Sequence, residues 1–324
     1  MPMRWGMVLG LTAGIGLFAL LVAGHDGARI LDLLDGMGWG LAAVVAVRAA
    51  ILVLCGRGWA ELLSSFEPPS LRVFVTLRWL REAINVLLPV AQIGGDLMGA
   101  RLLTFWKVPG GMAGASILVD VLLRATAQLL FVLLGVAVLL PRASATAPAA
   151  WAEMALPAMG LGLAGFYLAQ RHGLFRLVER LLDWVGTRWP QVALGGQLHL
   201  DDGLTAIYRC RGAVWRAFCW HFAAWLLGVA EIWIGLLCLG QPPSLIAALV
   251  LESLGQAVRS ASFPVPGALG VQEGGFVVVG AIFGLGPEAA LALSLLKRVP
   301  DLVLGLPGLL ALNLLESRRP ITTP

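Results

Sequence analysis

Two short sets of polar side chains recur within otherwise apolar sequence, each at positions i, i+4 and i+7 and each followed by a proline. The sets are Arg78, Glu82 and Asn85 before Pro89, and Glu252, Gln256 and Arg259 before Pro264. The offset between the sets is 174 residues for the polar positions and 175 for the prolines. Residues at this spacing share one face of a helix. Such a face can bind the polar group of a ligand, or its side chains can hold neighbouring helices together.

A glycine-rich turn with one carboxylate follows each proline. The turns contain Gln92, Gly94, Gly95 and Asp96 in the first copy, and Pro266, Gly267, Gly270, Gln272 and Glu273 in the second. Proline and glycine interrupt a helix, and the backbone groups that they free are tolerated inside a membrane only where they face protein or a wet cavity. A carboxylate in such a turn can receive a proton, pair with an arginine of the opposite repeat, or cap the short helix after the break.

A long apolar segment follows each turn and carries charges of both signs. Pro109 and Pro287 open these segments, 178 residues apart. The charged residues are Asp120 and Arg124 in the first segment, and Lys297, Arg298 and Asp301 in the second. Their spacings of three and four residues predict ion pairs within each segment. Arg48 and Glu231 lie in other apolar segments and form a further candidate pair.

The residues that we predict to line a substrate path are the polar side chains near these breaks and segments. They are Arg78, Arg81, Glu82, Asn85, Gln92, Asp96, Arg101, Asp120, Arg124, Gln256, Arg259, Gln272, Glu273, Lys297, Arg298 and Asp301. The residues predicted to shape the backbone breaks are Pro89, Gly94, Gly95, Pro264, Pro266, Gly267 and Gly270. The four cysteines and four histidines show no metal-ligand spacing, and there is no phosphate-binding glycine loop. We therefore expect no metal, no cofactor and no catalytic residue.

The amino-acid composition indicates which class of protein carries these polar side chains. The chain has 324 residues, of which 59% are hydrophobic and 13% charged, and its mean hydropathy is +0.85. A soluble domain carries about 25% charged residues, so a soluble protein is excluded, as are a disordered chain and a nucleic-acid-binding protein. Uncharged runs of near-spanning length favour helices over the short alternating segments of a barrel. We predict an all-α polytopic membrane protein with one membrane domain over residues 1–324.

About six spanning helices are predicted, at residues 5–23, 37–55, 111–140, 151–169, 217–239 and 288–315. The positive-inside rule places the arginine-rich segments 57–107 and 171–216 and both termini in the cytoplasm. This assignment requires the segments 71–106 and 245–286 to enter and leave the membrane on the same side, as two re-entrant hairpins broken by proline and glycine.

The hairpins and the spans that follow them form two repeats, at residues 71–140 and 245–315. The first hairpin enters from the cytoplasmic side and the second from outside, so the repeats are predicted to be inverted. Inverted repeats with broken helices and polar groups near the midplane are typical of alternating-access transporters. The segment 171–216 between the repeats has apolar residues near helical spacing, which favours an amphipathic helix on the inner leaflet.

Two runs of the sequence resemble known motifs. Residues 78–101, with the run Leu-Leu-Pro-Val-Ala-Gln-Ile-Gly-Gly-Asp, resemble the first motif of the lysylphosphatidylglycerol synthase transmembrane-region family, and residues 262–275 resemble its second motif. The resemblance covers nearly the whole chain. Within the family, residues 87–96 and 295–298 are most similar to the hopanoid-biosynthesis-associated (HpnL-type) branch.

The resemblance implies a flippase-like domain in the bacterial inner membrane. In two-part relatives this region moves an aminoacylated phospholipid across the bilayer, and a separate soluble domain synthesises that lipid. The 324 residues hold no such soluble domain, so we expect no synthesis of that lipid. The expected partners are a membrane lipid, either a hopanoid or a phospholipid, and enzymes of lipid biosynthesis. No nucleic acid is expected.

Three functions are compatible with the sequence. A translocase would pass a lipid headgroup through a polar cavity between the repeats. A non-transporting partner of hopanoid or other lipid-biosynthesis enzymes would tolerate loss of the hairpin charges but not changes in 171–216. An integral membrane transferase would need an acid–base set or a nucleophile at one interface, whereas the acids here are spread over both hairpins. The sequence favours the translocase, which is not an enzyme.

Overall fold

The computed structural model describes residues 32, 35–88, 94–139, 200–242, 244–262 and 268–317. The regular elements in these ranges are the helices α1 (Trp39–Leu62), α2 (Leu71–Leu87), α3 (Gly94–Thr104), α4 (Gly110–Leu139), α5 (Leu200–Arg209), α6 (Arg211–Cys238), α7 (Leu245–Ala261), α8 (Val271–Ile282), α9 (Pro287–Leu296) and α10 (Arg298–Ser317). No strand is present in the described ranges. The prediction of an all-α protein is therefore confirmed for this part of the chain.

Three of the helices, α1, α4 and α6, are long and apolar enough to cross a membrane. They have 24, 30 and 28 residues. At 1.5 Å per residue their lengths are about 36 to 45 Å, which exceeds the hydrocarbon core of about 30 Å. They correspond to the predicted spans 37–55, 111–140 and 217–239, although α1 ends later and α6 begins earlier than predicted. The chain is a membrane protein.

Some predicted segments are outside the part of the chain that the structure describes. These are the spans 5–23 and 151–169 and the first part, 171–199, of the amphipathic segment. The described remainder of that segment forms α5 and the first turns of α6. Helix α5 is amphipathic, because its buried residues Leu200, Gly203, Leu204 and Ile207 share one face. That face packs against α4.

The predicted span 288–315 is not one helix in the structure. It is divided at Lys297 into α9 and α10. Pro300 is the physical reason, since it has no N–H to donate to the carbonyl oxygen of Leu296 and its ring would clash with that carbonyl group. The break leaves Lys297 buried between the two helices, with 1% of its surface exposed.

Each predicted hairpin consists of a longer helix and a shorter helix with a break between them. Helices α2 and α7 both have 17 residues, α3 has 11 and α8 has 12. Each longer helix packs against the shorter helix that follows it. The repeat in the sequence is therefore also a repeat of helix lengths. The break residues Pro89, Gln92, Pro264, Pro266 and Gly267 lie outside the described residues.

Two apolar cores flank the middle of the protein. One is built mainly from α1 to α5 around buried residues such as Trp59 and Phe74, and the other mainly from α6 to α9 around residues such as Leu251 and Leu291. Helix α1 packs along α6, and α10 returns to pack on α2. There the Trp79 indole N–H donates to the Leu304 carbonyl oxygen at 2.7 Å. The two repeats therefore interlock, and their polar faces lie between the cores.

The start of α3 makes a close contact with α2. The Gly95 N–H donates to Asn85 Oδ1 at 2.8 Å. A Cβ atom at Gly95 would overlap the backbone oxygen of Arg81 and lie 2.7 Å from Asn85 Oδ1. Only glycine permits this approach, which brings Asp96 next to Arg81.

We expect Gly95→Ala to lower the thermal stability of the protein in detergent, because α2 and α3 would have to move apart. Overpacking of this kind costs about 1–3 kcal/mol. Gly274→Ala is the matched control, since a Cβ atom there meets nothing within 4 Å. Fluorescence-detected thermal unfolding measures both variants. Equal melting temperatures for Gly95→Ala and Gly274→Ala would contradict this account of the contact.

Candidate functional site

A cavity of about 190 Å³ lies between the two repeats. Its walls come from α1, α2, α4, α6 and α7. All six polar positions that recur at the 174-residue offset line it: Arg78, Glu82, Asn85, Glu252, Gln256 and Arg259. Arg124 of the predicted path lines it as well, from α4. The structure thus brings together polar faces that are far apart in the sequence.

A side-chain hydrogen bond between positions i and i+4 forms within each set of polar residues. In the first repeat the Arg78 Nη2 atom donates to Glu82 Oε2 at 2.7 Å. In the second repeat the Gln256 amide donates to Glu252 Oε1 at 2.9 Å. Both contacts join residues at i and i+4 and both face the cavity. The carboxylate is the second member in one repeat and the first in the other, so the two faces present their polar groups in opposite order.

The carboxylates on the second-repeat side are neutralised by a group that we call the lysine cluster, formed by Lys297, Glu231 and Glu252. Lys297 Nζ donates to Glu231 Oε2 at 2.9 Å and also to Glu252. Glu231 further accepts two hydrogen bonds of 2.7 Å from Arg48. The predicted pair of Arg48 and Glu231 is therefore confirmed. Lys297 and the two glutamates are each at least 98% buried.

Asp301 extends these contacts along α10. Its carboxylate lies 3.6 Å from Arg48 and 3.4 Å from Arg259. The predicted pair of Arg298 and Asp301 is not formed, because Arg298 points to α8 and its Nε atom lies 2.8 Å from Glu273 Oε1. Asp301 and Arg298 therefore both pair with residues on other helices.

On the first-repeat side, the buried charges form what we call the arginine cluster: Arg81, Asp96 and Asp120. The fully buried guanidinium of Arg81 donates to Asp96 at 2.7 and 3.0 Å and lies 3.0 Å from Asp120 Oδ2. It also stacks 4.7 Å from the centre of the Trp59 ring. The predicted pair of Asp120 and Arg124 is not formed, since Asp120 faces Arg81 instead.

The cavity has more positive groups than its carboxylates can pair. Glu82, Glu231 and Glu252 each contact a nitrogen of Arg or Lys. In the described residues, the Arg124 guanidinium has no ion-pair or hydrogen-bond partner. The Nε and Nη1 atoms of Arg78 are buried without a hydrogen-bond partner there. These donors suit oxygen atoms of a bound anion or polyol.

Asp96 and Glu273, the carboxylates of the two glycine-rich turns, do not line the cavity. Asp96 pairs with Arg81 of its own repeat. Glu273 accepts the Gly270 N–H at 2.7 Å, which caps the start of α8, and it pairs with Arg298 of its own repeat. Pairing with an arginine of the opposite repeat, one of the predicted alternatives, is therefore not observed. Gly270 has φ +77°, a conformation that favours glycine.

Other predicted path residues lie away from the cavity. The Arg101 guanidinium stacks 5.7 Å from the Phe105 ring and contacts the Met98 sulfur at 3.6 Å. Gln272 is 2% exposed within α8. Gln92 lies outside the described residues.

Several cavity residues were not found from the sequence. They are Cys55, Gln128, His221, Trp225 and Ser260. Gln128 of α4 donates to Ser260 Oγ at 2.6 Å and to the Gln256 carbonyl oxygen at 3.2 Å, which links the two repeats at the cavity. His221 had the clearest sequence signal, because an ionisable residue inside an apolar span is a functional candidate by default.

We expect Lys297→Met to destabilise the protein more than Lys297→Met combined with Glu252→Gln. The single change leaves Glu252 charged and buried without a cation, and breaking a buried pair in this way costs about 3–5 kcal/mol. A double-mutant cycle of thermal unfolding in detergent measures the coupling. A Lys297→Met protein as stable as the wild type would show that the lysine cluster does not hold the helices together.

Comparison with known proteins supports the resemblance at the level of the family. The model of the family described as lysylphosphatidylglycerol synthase TM region matches residues 7–308. No curated protein and no solved structure matches the chain. The family is a membrane domain associated with lipid-related functions. This chain belongs to the lysylphosphatidylglycerol synthase TM region family.

Proposed function

We propose that this protein moves a polar lipid, a hopanoid or a phospholipid, across the bacterial inner membrane. The headgroup passes through the cavity between the repeats while the tails stay in the bilayer. One observation carries the proposal: the polar residues that match between the repeats line a single shared cavity. Polar groups held at the interface of two repeats are the arrangement that alternating access uses.

The dimensions of the cavity support a headgroup as its occupant. Pockets for drug-sized ligands measure about 300–1,000 Å³, and this cavity of about 190 Å³ is smaller. The outer surface, in contrast, is apolar, with exposed side chains such as Leu130 and Leu134 on α4. A lipid whose head enters the cavity can therefore keep its tails against apolar protein and the surrounding lipid.

The unpaired donors of the cavity support oxygen-rich headgroups. The guanidinium of Arg124 and two nitrogens of Arg78 have no partner in the described residues. Phosphate and hydroxyl oxygens match guanidinium donors, and hydrogen bonds to a charged group contribute about 1.5–3 kcal/mol each. In this proposal Arg78 and Arg124 hold the headgroup, whereas the lysine cluster and the arginine cluster hold the two repeats in shape.

Alternating access requires contacts between the repeats that can open. The hydrogen bonds from Gln128 to Ser260 and Gln256 join α4 of the first repeat to α7 of the second. Ser260 is exposed, so these contacts lie at the rim of the cavity. We propose that they close one entrance and separate when the repeats move.

The membrane orientation is also part of the proposal. The positive-inside rule supports cytoplasmic termini, re-entrant hairpins at the two helix breaks and an inverted relation between the repeats. The likeness of residues 87–96 to the hopanoid-associated branch is what favours a hopanoid among the polar lipids.

We expect Arg124→Gln to reduce lipid movement about 10-fold to 100-fold, because it removes a charged hydrogen-bond donor worth about 1.5–3 kcal/mol. The measurement is a two-sided leaflet assay in proteoliposomes with a polar hopanoid and with an anionic phospholipid. Arg57→Gln is the matched control, since Arg57 is half exposed and pairs with Glu61 away from the cavity.

Each result of this assay has a clear meaning. Selective movement of one lipid that Arg124→Gln slows and Arg57→Gln does not would support translocation through the cavity. Wild-type movement in Arg124→Gln would contradict the role of Arg124. If folded wild-type protein moves neither lipid with a gradient in either direction, the protein is better described as a non-transporting partner of lipid-biosynthesis enzymes.

A further inference from the structure

A groove on the outside of the protein lies where α4, α5 and α6 meet. Its volume is about 560 Å³, within the range of about 300–1,000 Å³ that is typical of ligand pockets. Among the residues that line it are Leu123 and Leu130 of α4, Tyr208 of α5, and Arg211, Trp215 and Phe218 of α6. None of its lining residues lines the cavity between the repeats, so this outer groove is a separate site.

The outer groove has a positive end. Arg211 is the first residue of α6 and is exposed, and Arg209, two positions earlier, is exposed as well. Neither side chain has an ion-pair or hydrogen-bond partner in the described ranges. Among the described residues that line the groove there is no carboxylate. The guanidinium of Arg211 is therefore available to an anion from outside the protein.

The remainder of the outer groove is mainly apolar and leads away from Arg211. The rings of Trp215, Phe218 and Phe222 stack in sequence along α6, with centres 5.3 and 6.1 Å apart. The hydroxyl of Thr126, which also lines the groove, is bound to the carbonyl oxygen of Leu122 in its own helix, at 2.8 Å. Such a surface suits a hydrocarbon chain.

The register of α4 against α6 gives the direction of the outer groove. Asp120 lies 3.0 Å from His221, and the Trp225 indole N–H donates to the Arg124 carbonyl oxygen at 3.2 Å, so the two helices run in the same direction. The leucines that α4 contributes, at positions 123 and 130, follow these contacts. They therefore lie further along α6 than Phe218, at the end of the groove opposite Arg211.

The length of α6 places this direction relative to the bilayer. With 28 residues the helix is about 42 Å long, so about 6 Å extends beyond each side of a hydrocarbon core of about 30 Å. Arg211 then lies at the level of the headgroups, and Phe218, about 10 Å further along the axis, lies in the hydrocarbon. Trp215, which is 65% exposed, lies between them, at the level where tryptophans concentrate.

We propose that the outer groove binds one anionic phospholipid of the surrounding bilayer. Its phosphate lies against Arg211, and an acyl chain follows the rings of Trp215 and Phe218 towards Leu130. Phosphate oxygens match the guanidinium donors, and a headgroup without net charge is attracted less because its ammonium is repelled by the arginine. This site is beside the path of the translocated headgroup and goes beyond the proposed function.

The first test compares two lipids at the groove. Cys219 follows Phe218, is exposed and does not line the groove, so a bimane label there reports on a bound chain without filling the site. In a protein with Cys219 as its sole cysteine, reconstituted in equal parts phosphatidylglycerol and phosphatidylcholine, bromine is placed on the chains of one lipid or the other. Quenching by brominated phosphatidylglycerol should exceed quenching by brominated phosphatidylcholine.

Two variants locate the preference. Arg211→Gln should reduce it about fivefold, the contribution of one arginine near anionic lipid. A label at Val278→Cys, an exposed apolar position on α8, should report equal quenching by the two lipids. Equal quenching at Cys219, a preference that Arg211→Gln leaves unchanged, or the same preference at both labels would overturn the proposal.

A second test keeps all the native cysteines and uses native mass spectrometry in detergent with equal amounts of the same two lipids. We expect folded Arg211→Gln protein to retain about fivefold less phosphatidylglycerol than the wild type. Arg216→Gln is the matched control, because Arg216 is a half-exposed arginine of the same helix that pairs with Glu61 and does not line the groove. Equal losses in both variants would overturn the proposal.

Arg124→Gln separates the outer groove from the cavity. The proposal predicts that this variant still retains phosphatidylglycerol and that the effect of Arg211→Gln is unchanged in its presence. A loss caused by Arg124→Gln and not by Arg211→Gln would assign the bound lipid to the cavity and overturn the proposal. Both tests measure binding and need no movement of lipid, so their results are separate from those of the transport assay.

Discussion

Charged side chains buried between apolar helices must be neutralised by a neighbour, and this requirement determines how the helices of this protein pack. An isolated charge in such surroundings costs several kcal/mol. Lys297 meets the requirement between Glu231 and Glu252, and Arg81 meets it between Asp96 and Asp120. Each cluster joins three different helices through one buried cation. The ion pairs therefore fix the positions of α2, α3 and α4 on one side and of α6, α7 and α9 on the other, with the cavity between them.

The helix breaks place these charges where they are needed. Pro300 interrupts the last apolar segment, so Lys297 sits at the junction of α9 and α10 instead of along a continuous helix. Gly95 lets α3 begin against α2, which brings Asp96 to Arg81. Interrupted helices are also where transporters change shape, since the ends of half-helices can move separately. One set of sequence features thus serves both stability and the proposed movement.

Much of the fold could be predicted from the sequence because hydrophobicity and helix periodicity are local properties. The spans of α1, α4 and α6, the repeat and the grouping of its polar positions all follow from such patterns. The partners of Asp120 and Arg298 did not, because spacing along one helix gives no information about charges on the helices packed against it. His221 and Cys55 were missed for a related reason, since each is a single residue in an apolar run and both reach the cavity only through the packing of α1 on α6.

The central claim is that the space between the repeats is the path of the lipid headgroup, and a reversible obstruction tests it most directly. Gln128 and Ser260 face each other across the rim, with Nε2 and Oγ 2.6 Å apart. In a protein without its native cysteines, Gln128→Cys and Ser260→Cys can be joined by a short bifunctional methanethiosulfonate, and lipid movement between leaflets is measured before and after reduction. Our account predicts that the bridged protein stops moving lipid and that reduction restores the movement. A bridged protein that moves lipid at the unbridged rate would contradict it.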